Sequence, residues 1–120
     1  MVRQITRNEL VELMKSGKKF TLVDVLPKYN YFREHIKGAI SLPLADIENG
    51  VTKGLAKDDL IVTYCASLQC PASTTAAEKL ISLGYKDVLD YKEGFKDYKE
   101  AGLPVQGSLC AKTTHAKGCD

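Results

Sequence analysis

The stretch that decides the fold is Leu60-Ile61-Val62-Thr63-Tyr64-Cys65-Ala66-Ser67-Leu68-Gln69-Cys70-Pro71, continued by Ala76, Ala77, Leu80, Ile81, Leu83 and Gly84. Residues 60–64 are apolar and β-branched, the pattern of a strand buried on both faces. Residues 65–70 are short or polar and read as a tight loop. From Pro71 to Leu83 the apolar positions recur on one face at helical spacing. Pro71 suits the first helical position, where a missing N–H costs nothing, and Gly84 suits the left-handed residue after the last turn.

Working outward, residues 2–6 read as a first strand, and Thr6 or Asn8 can cap a helix carrying Leu10, Val11, Leu13 and Met14 up to Gly17. Residues 20–25 form a second apolar, β-branched run closed by Pro27. Residues 28–37 mix aromatic and charged side chains and give no clear period. Residues 39–42 are extended, 44–48 suggest a short helix, and 50–59 a glycine-containing connection. A strand at 87–91 and a helix at 95–101 complete the pattern before Gly102-Leu103-Pro104. Strands alternating with helices predict an α/β domain with a mainly parallel central sheet flanked by helices. The domain is expected over residues 1–106, with 107–120 as a flexible polar tail.

Composition narrows the function classes. A chain of 120 residues has room for one core, and 44% hydrophobic with 27% charged residues is ordinary for a globular protein. Seventeen basic against fifteen acidic residues leave a net charge of +2, which is no footprint for nucleic acid or an anionic membrane. No apolar run approaches the ~20 residues that span a bilayer, and the polar N-terminus does not read as a secretory signal. The expected compartment is the cytoplasm. There the four cysteines, Cys65, Cys70, Cys110 and Cys119, are expected as free, catalytic or metal-binding thiols rather than as a disulfide framework.

Ligands of open parallel sheets bind beyond the carboxyl ends of the strands. Cys65 stands at one such end, directly before a loop and a helix N-terminus. Unpaired N–H groups and the helix dipole there favour a thiolate and lower its pKa. The backbone N–H groups of Ala66, Ser67, Leu68, Gln69 and Cys70 are expected to form a nest around the anionic sulfur. No paired carboxylate or Ser/His/Asp arrangement accompanies it.

Four segments in order resemble the rhodanese-like sulfurtransferase domain. These are Leu22-Val23-Asp24-Val25; Tyr31-Phe32-Arg33-Glu34-His35-Ile36-Lys37-Gly38-Ala39-Ile40; Ile61-Val62-Thr63-Tyr64-Cys65; and Glu93-Gly94-Phe95 through Ala101-Gly102-Leu103-Pro104-Val105. The resemblance implies that Cys65 accepts a sulfane sulfur as a persulfide and passes it to a thiophilic acceptor, with no cofactor. Persulfide chemistry of this kind needs N–H donors rather than a general base. Where many members carry cations, this sequence has Ala66 directly after the cysteine, Cys70 at the loop end and Leu26 after the early Asp-Val. A dianion such as thiosulfate is therefore expected to bind less well than a persulfide or polysulfide. Related phosphatases and arsenate reductases use Cys-x5-Arg, and Pro71 in the arginine's place argues against oxyanion chemistry.

Cys70 is separated from Cys65 by four residues and can come within bridging distance. It would then resolve a Cys65 persulfide, releasing sulfide and leaving a disulfide, or shield Cys65 from overoxidation. The simpler expectation is a small side chain filling the cap and pointing away from the loop. Asp24 is expected to satisfy neighbouring backbone, His35 to serve packing and turn hydrogen bonds, and Tyr98 to be core with a polar tip. Cys110, His115 and Cys119 lack the fourth ligand and close Cys-x2-Cys pair of structural zinc, so no metal is expected.

The sequence thus predicts a cytoplasmic sulfurtransferase with Cys65 as catalytic residue and 66–70 as the substrate-binding loop. Its partners are a small sulfur donor and a thiol, including a protein sulfur acceptor, with neither nucleic acid nor membrane. The competing readings are a thiol–disulfide protein or sensor using Cys65 with Cys70, and a non-catalytic binding module on the same fold.

Overall fold

A computed structural model describes residues 2–108. In chain order the elements are β1 (Arg3–Gln4), α1 (Arg7–Lys15), β2 (Thr21–Asp24), α2 (Lys28–Arg33), β3 (His35–Ile36), β4 (Ile40–Ser41), α3 (Leu44–Glu48), β5 (Leu60–Tyr64), α4 (Ala72–Ser82), β6 (Asp87–Tyr91), α5 (Gly94–Glu100) and β7 (Val105–Gln106).

The central sheet has the order β1-β6-β5-β2-β4 and is parallel throughout. The apolar run of β5 lies at its centre, as residues buried on both faces must. Successive side chains alternate sides, so the sheet divides the core. Val23, Ile61 and Cys65 pack with Leu42, Ile47, Ala76, Ala77 and Leu80 of the α3 and α4 side. Leu22, Val62 and Tyr64 pack with Leu10, Tyr91 and Tyr98 of the α1 and α5 side.

Thr6, not Asn8, caps α1. Its hydroxyl accepts from the Glu9 N–H at 3.1 Å and its own N–H donates to Glu9 Oε1 at 2.9 Å, a reciprocal pair that satisfies two otherwise orphaned donors. Gly84 takes φ +100° after α4 as expected. Pro71 stands one residue ahead of its predicted place, as the N-cap of α4 rather than its first helical residue. Residues 28–37, which show no period, hold α2 and β3. The latter pairs antiparallel with β7, His35 opposite Gln106 and Ile36 opposite Val105, in a separate two-stranded sheet. No helix among the described residues is long and apolar enough to cross a membrane. The tail residues Cys110, His115 and Cys119 lie outside the described residues.

Candidate active site

Parallel pairing sets the site. Tyr64 pairs with Asp24 on one side and with Tyr91 on the other, so the ends of β2, β5 and β6 lie side by side. The next residue after β5 is Cys65, which is fully buried. The loop behind it is pinned from several directions. Cys70 N–H donates to the Ser67 carbonyl at 3.0 Å, and the first turn of α5 donates from Phe95 N to the Cys65 carbonyl and from Lys96 N to the Ala66 carbonyl, each at 2.8 Å. Gly94 makes that approach possible. With φ +75°, a Cβ there would stand 2.7 Å from the Cys65 carbonyl oxygen and 2.9 Å from Ser67 N, closer than real Cβ contacts come.

Lys92, immediately after β6, folds over the loop and donates from Nζ to the carbonyls of Leu68 and Cys70, both at 2.7 Å. The loop sequence lacks a cation, but the neighbouring strand end supplies one. Sequence reading missed Lys92 and Gly94 because both lie far along the chain from Cys65.

The interior of the loop differs from the expected nest. Cys65 Sγ lies 3.3 Å from the Cys70 carbonyl oxygen and 3.9 Å from that of Ser67, so its S–H faces two acceptors. Burial, then its contact with the Cys70 thiol, pushes the Cys65 thiol up; the N–H and hydroxyl of Ser73 in the first turn of α4 oppose this. The depressed pKa expected for Cys65 is thus replaced by a raised one, because burial and the neighbouring Cys70 thiol outweigh the donors at the helix terminus. The donors that favour its thiolate come from α4 rather than from residues 66–70.

Cys70 is half-buried and turned toward Cys65 instead of away from the loop. Burial acts to raise its thiol too. The S–H of Cys65, the N–H groups of Ala72 and Ala66, and the charge of Lys92 reverse that and leave it lowered. Within residues 66–70, Ser67 Oγ lies 3.2 Å from Gln69 Oε1, and Leu68 is 55% exposed.

A cavity of about 200 Å³ opens beside the loop, lined by Leu26, Asn30, Arg33, Glu34, Ala66 and Phe95. Leu26, in the place where the resemblance leads one to expect arginine, forms one of its walls, and Arg33 of α2 lines it too, with its guanidinium 5.5 Å from the Tyr29 ring centroid. Behind the loop, Asp24 accepts from Tyr64 Oη at 2.9 Å and from Leu26 N–H at 2.9 Å, and Tyr64 Oη accepts from Ile36 N–H at 3.0 Å. Burial raises the Asp24 carboxyl to about 6, against the pull of these donors and of His35. His35 is buried, with Nδ1 2.7 Å from the Tyr31 carbonyl and its ring stacked on Tyr31. Asp24 and His35 thus have the structural roles expected of them. Tyr98 is buried with its hydroxyl 3.6 Å from Met14 Sδ. Among the described residues, no group of three or more His, Cys, Asp or Glu side chains is placed to hold a metal ion.

A parallel α/β sheet with a buried cysteine at the end of its central strand, ringed by a short loop and two helix N-termini, defines a class of thiol-bearing domains. The chain belongs to one family of that class, since the family model of the rhodanese-like domain matches residues 6–101. It is 29% identical over 99 residues to the thiosulfate sulfurtransferase GlpE of Coxiella burnetii, covering 82% of this chain and 89% of that protein. It is 36% identical over 101 residues to the HTH-type transcriptional regulator Rv0324 of Mycobacterium tuberculosis, covering 84% of this chain but spanning only 43% of the regulator. The solution structure of the rhodanese-like domain of the Anabaena Alr3790 protein superposes with a TM-score of 0.80 at 27% identity, covering 100% of this chain and 89% of that one.

Proposed function

We propose that the protein is a sulfurtransferase in which Cys65 carries sulfane sulfur as a persulfide between a small donor and a thiol or other thiophilic acceptor. The observation that carries this reading is the place of Cys65, at the carboxyl end of the central strand with the Ser73 N–H and hydroxyl favouring its anion. A persulfide is more acidic than a thiol, so the same donors hold the charged sulfur that forms there. The sulfurtransferase named among the relatives supports the same chemistry.

Persulfide or polysulfide is the favoured donor and thiosulfate the weaker one. The loop 66–70 offers no side-chain cation, Leu26 replaces another, and Lys92 is engaged with two carbonyls. The acceptor is a small thiol or a protein thiol, and no cofactor enters the reaction. The reducing cytoplasm suits a domain that works through free thiols.

The test is sulfur loading followed by intact mass. Incubation with polysulfide adds one sulfur atom to the wild-type protein, and cyanide then removes it as thiocyanate. Cys65→Ser lowers steady transfer to cyanide by at least about tenfold; unchanged turnover in that variant would refute Cys65 as the carrier. The contact between the two thiols favours one second reading, a dithiol–disulfide protein, for which the mass change is a loss of two hydrogens.

A further inference from the structure

Two thiols share one loop, and their surroundings differ in kind. Cys65 is fully buried, with the carbonyl oxygens of Cys70 and Ser67 against its sulfur, surroundings suited to a neutral S–H. Cys70 reaches the surface. Around its sulfur gather the N–H groups of Ala66 and Ala72 and the Cys65 S–H, with the Lys92 ammonium nearby and anchored at 2.7 Å to the Cys70 carbonyl. Convergent N–H donors and a cation suit an anion, and of the two cysteines only Cys70 is open to solvent.

We propose that Cys70 is the entry thiol of the site: it takes the sulfane sulfur from the donor and hands it inward to Cys65. This rests on the sulfur-transfer reading and divides its first step between two residues. The Cys70 thiolate attacks the outer sulfur of a donor persulfide R–S–SH; the new S–S bond forms as the donor's breaks, and R–S⁻ leaves. The Cys65 sulfur then attacks the outer sulfur of the Cys70 persulfide, whose S–S bond breaks to regenerate the Cys70 thiolate. The proton lost by Cys65 ends on R–S⁻. The sum converts R–S–SH and Cys65–SH into R–SH and Cys65–S–SH, with no oxidant or reductant consumed.

The lower basicity of Cys70 serves both steps. A thiol whose anion is favoured by N–H donors and a nearby cation attacks the donor more readily, and a stabilised thiolate is the better leaving group when Cys65 takes over the sulfur. Cys65 in turn keeps the sulfur out of solvent, under the Ser73 N–H and hydroxyl.

The test uses the full chain with polysulfide as donor, short exposure, and location of the added sulfur by peptide mass. Cys65→Ser should still gain one sulfur atom, on Cys70, at close to the wild-type rate, while Cys70→Ser should charge at least about tenfold more slowly. The reverse pattern, an uncharged Cys65→Ser and a Cys70→Ser that loads at the wild-type rate, overturns the relay. So does immediate loss of two hydrogens in the wild type with no sulfur-bearing species before it. A wild-type protein that takes up no sulfur at all fails the sulfur-transfer reading itself, a distinct result. A second measurement needs no variant: limiting iodoacetamide at neutral pH should label Cys70 at least about tenfold faster than Cys65, and preferential labelling of Cys65 overturns the proposal.

Discussion

Lys92 Nζ donates to the Cys70 carbonyl at 2.7 Å, although the two residues lie 22 positions apart. The cause is register: β5 and β6 are parallel neighbours with Tyr64 opposite Tyr91, so the residues that follow them emerge side by side. A second bond to the Leu68 carbonyl makes the ammonium a clip across the loop and sets a positive charge near the half-buried thiol.

Lys92→Met keeps the aliphatic stem and removes both the clip and the charge. Stability should fall by about 1 kcal/mol for the lost hydrogen bonds, read from denaturant unfolding. The pH at which Cys70 becomes reactive toward iodoacetamide should move upward, because the cation that favours its thiolate is gone. An unmoved alkylation profile would remove Lys92 from the site's electrostatics.

Gly94→Ala tests the contact between α5 and the loop. The added methyl would meet the Cys65 carbonyl oxygen at 2.7 Å in a backbone conformation of φ +75°. Backbone on backbone cannot yield as a side chain does, so the loss should be about 2 kcal/mol or more and should carry sulfur loading with it. Gly102→Ala is the control: its φ is +77° but nothing lies within 4 Å, so only the conformational cost of about 1 kcal/mol applies. Thermal unfolding of the two variants side by side separates collision from strain.

The sequence makes β2, β5, β6, α3 and α4 legible because each is a local pattern: β-branched apolar runs for the strands, spaced apolar residues and flanking proline or glycine for the helices. It does not disclose α2, β3 and β7. The paired strands β3 and β7 are two residues each and exist through a partner 69 residues away, Ile36 with Val105, which no window along the chain contains. The site divides the same way. Cys65 and its loop announce themselves by their place behind a strand, whereas Lys92, Gly94 and Ser73 act through sheet order and helix packing. Lys92 was recoverable in principle, since two adjacent parallel strands in register bring the residues after them together. The polarity of the cysteine pair was not, because it depends on where the Ser67 and Cys70 carbonyls point.

Ser73→Ala separates stability from chemistry. Its hydroxyl is buried without an oxygen or nitrogen partner, and its influence falls on the Cys65 sulfur, whose anion it favours. Removing an unpartnered buried hydroxyl should leave stability unchanged or raise it by up to about 1 kcal/mol. Persulfide formation on Cys65 should nonetheless slow, with its pH profile displaced upward. A variant whose thermal midpoint and pH profile are both wild type would show that the hydroxyl does nothing for the sulfur.

Asp24 predicts a pH dependence of stability with a definite sign. Its carboxyl titrates at about 6 in the folded protein against an ordinary value of 3.8, chiefly because it is buried. Between those pH values the folded state holds a proton that the unfolded chain has released, so stability falls as pH rises through this window and is level above it. The full difference amounts to about 3 kcal/mol, present below the ordinary carboxyl range and lost by neutral pH. Asp24→Asn keeps an acceptor for the Leu26 N–H or the Tyr64 hydroxyl and cannot ionise, so the variant should unfold with a flatter profile over the same window. Measuring denaturant midpoints of wild type and variant from pH 4 to pH 7 checks this. Parallel curves would mean that Asp24 keeps an ordinary carboxyl despite its burial, and that the hydrogen bonds from Leu26 and Tyr64 offset the whole desolvation cost.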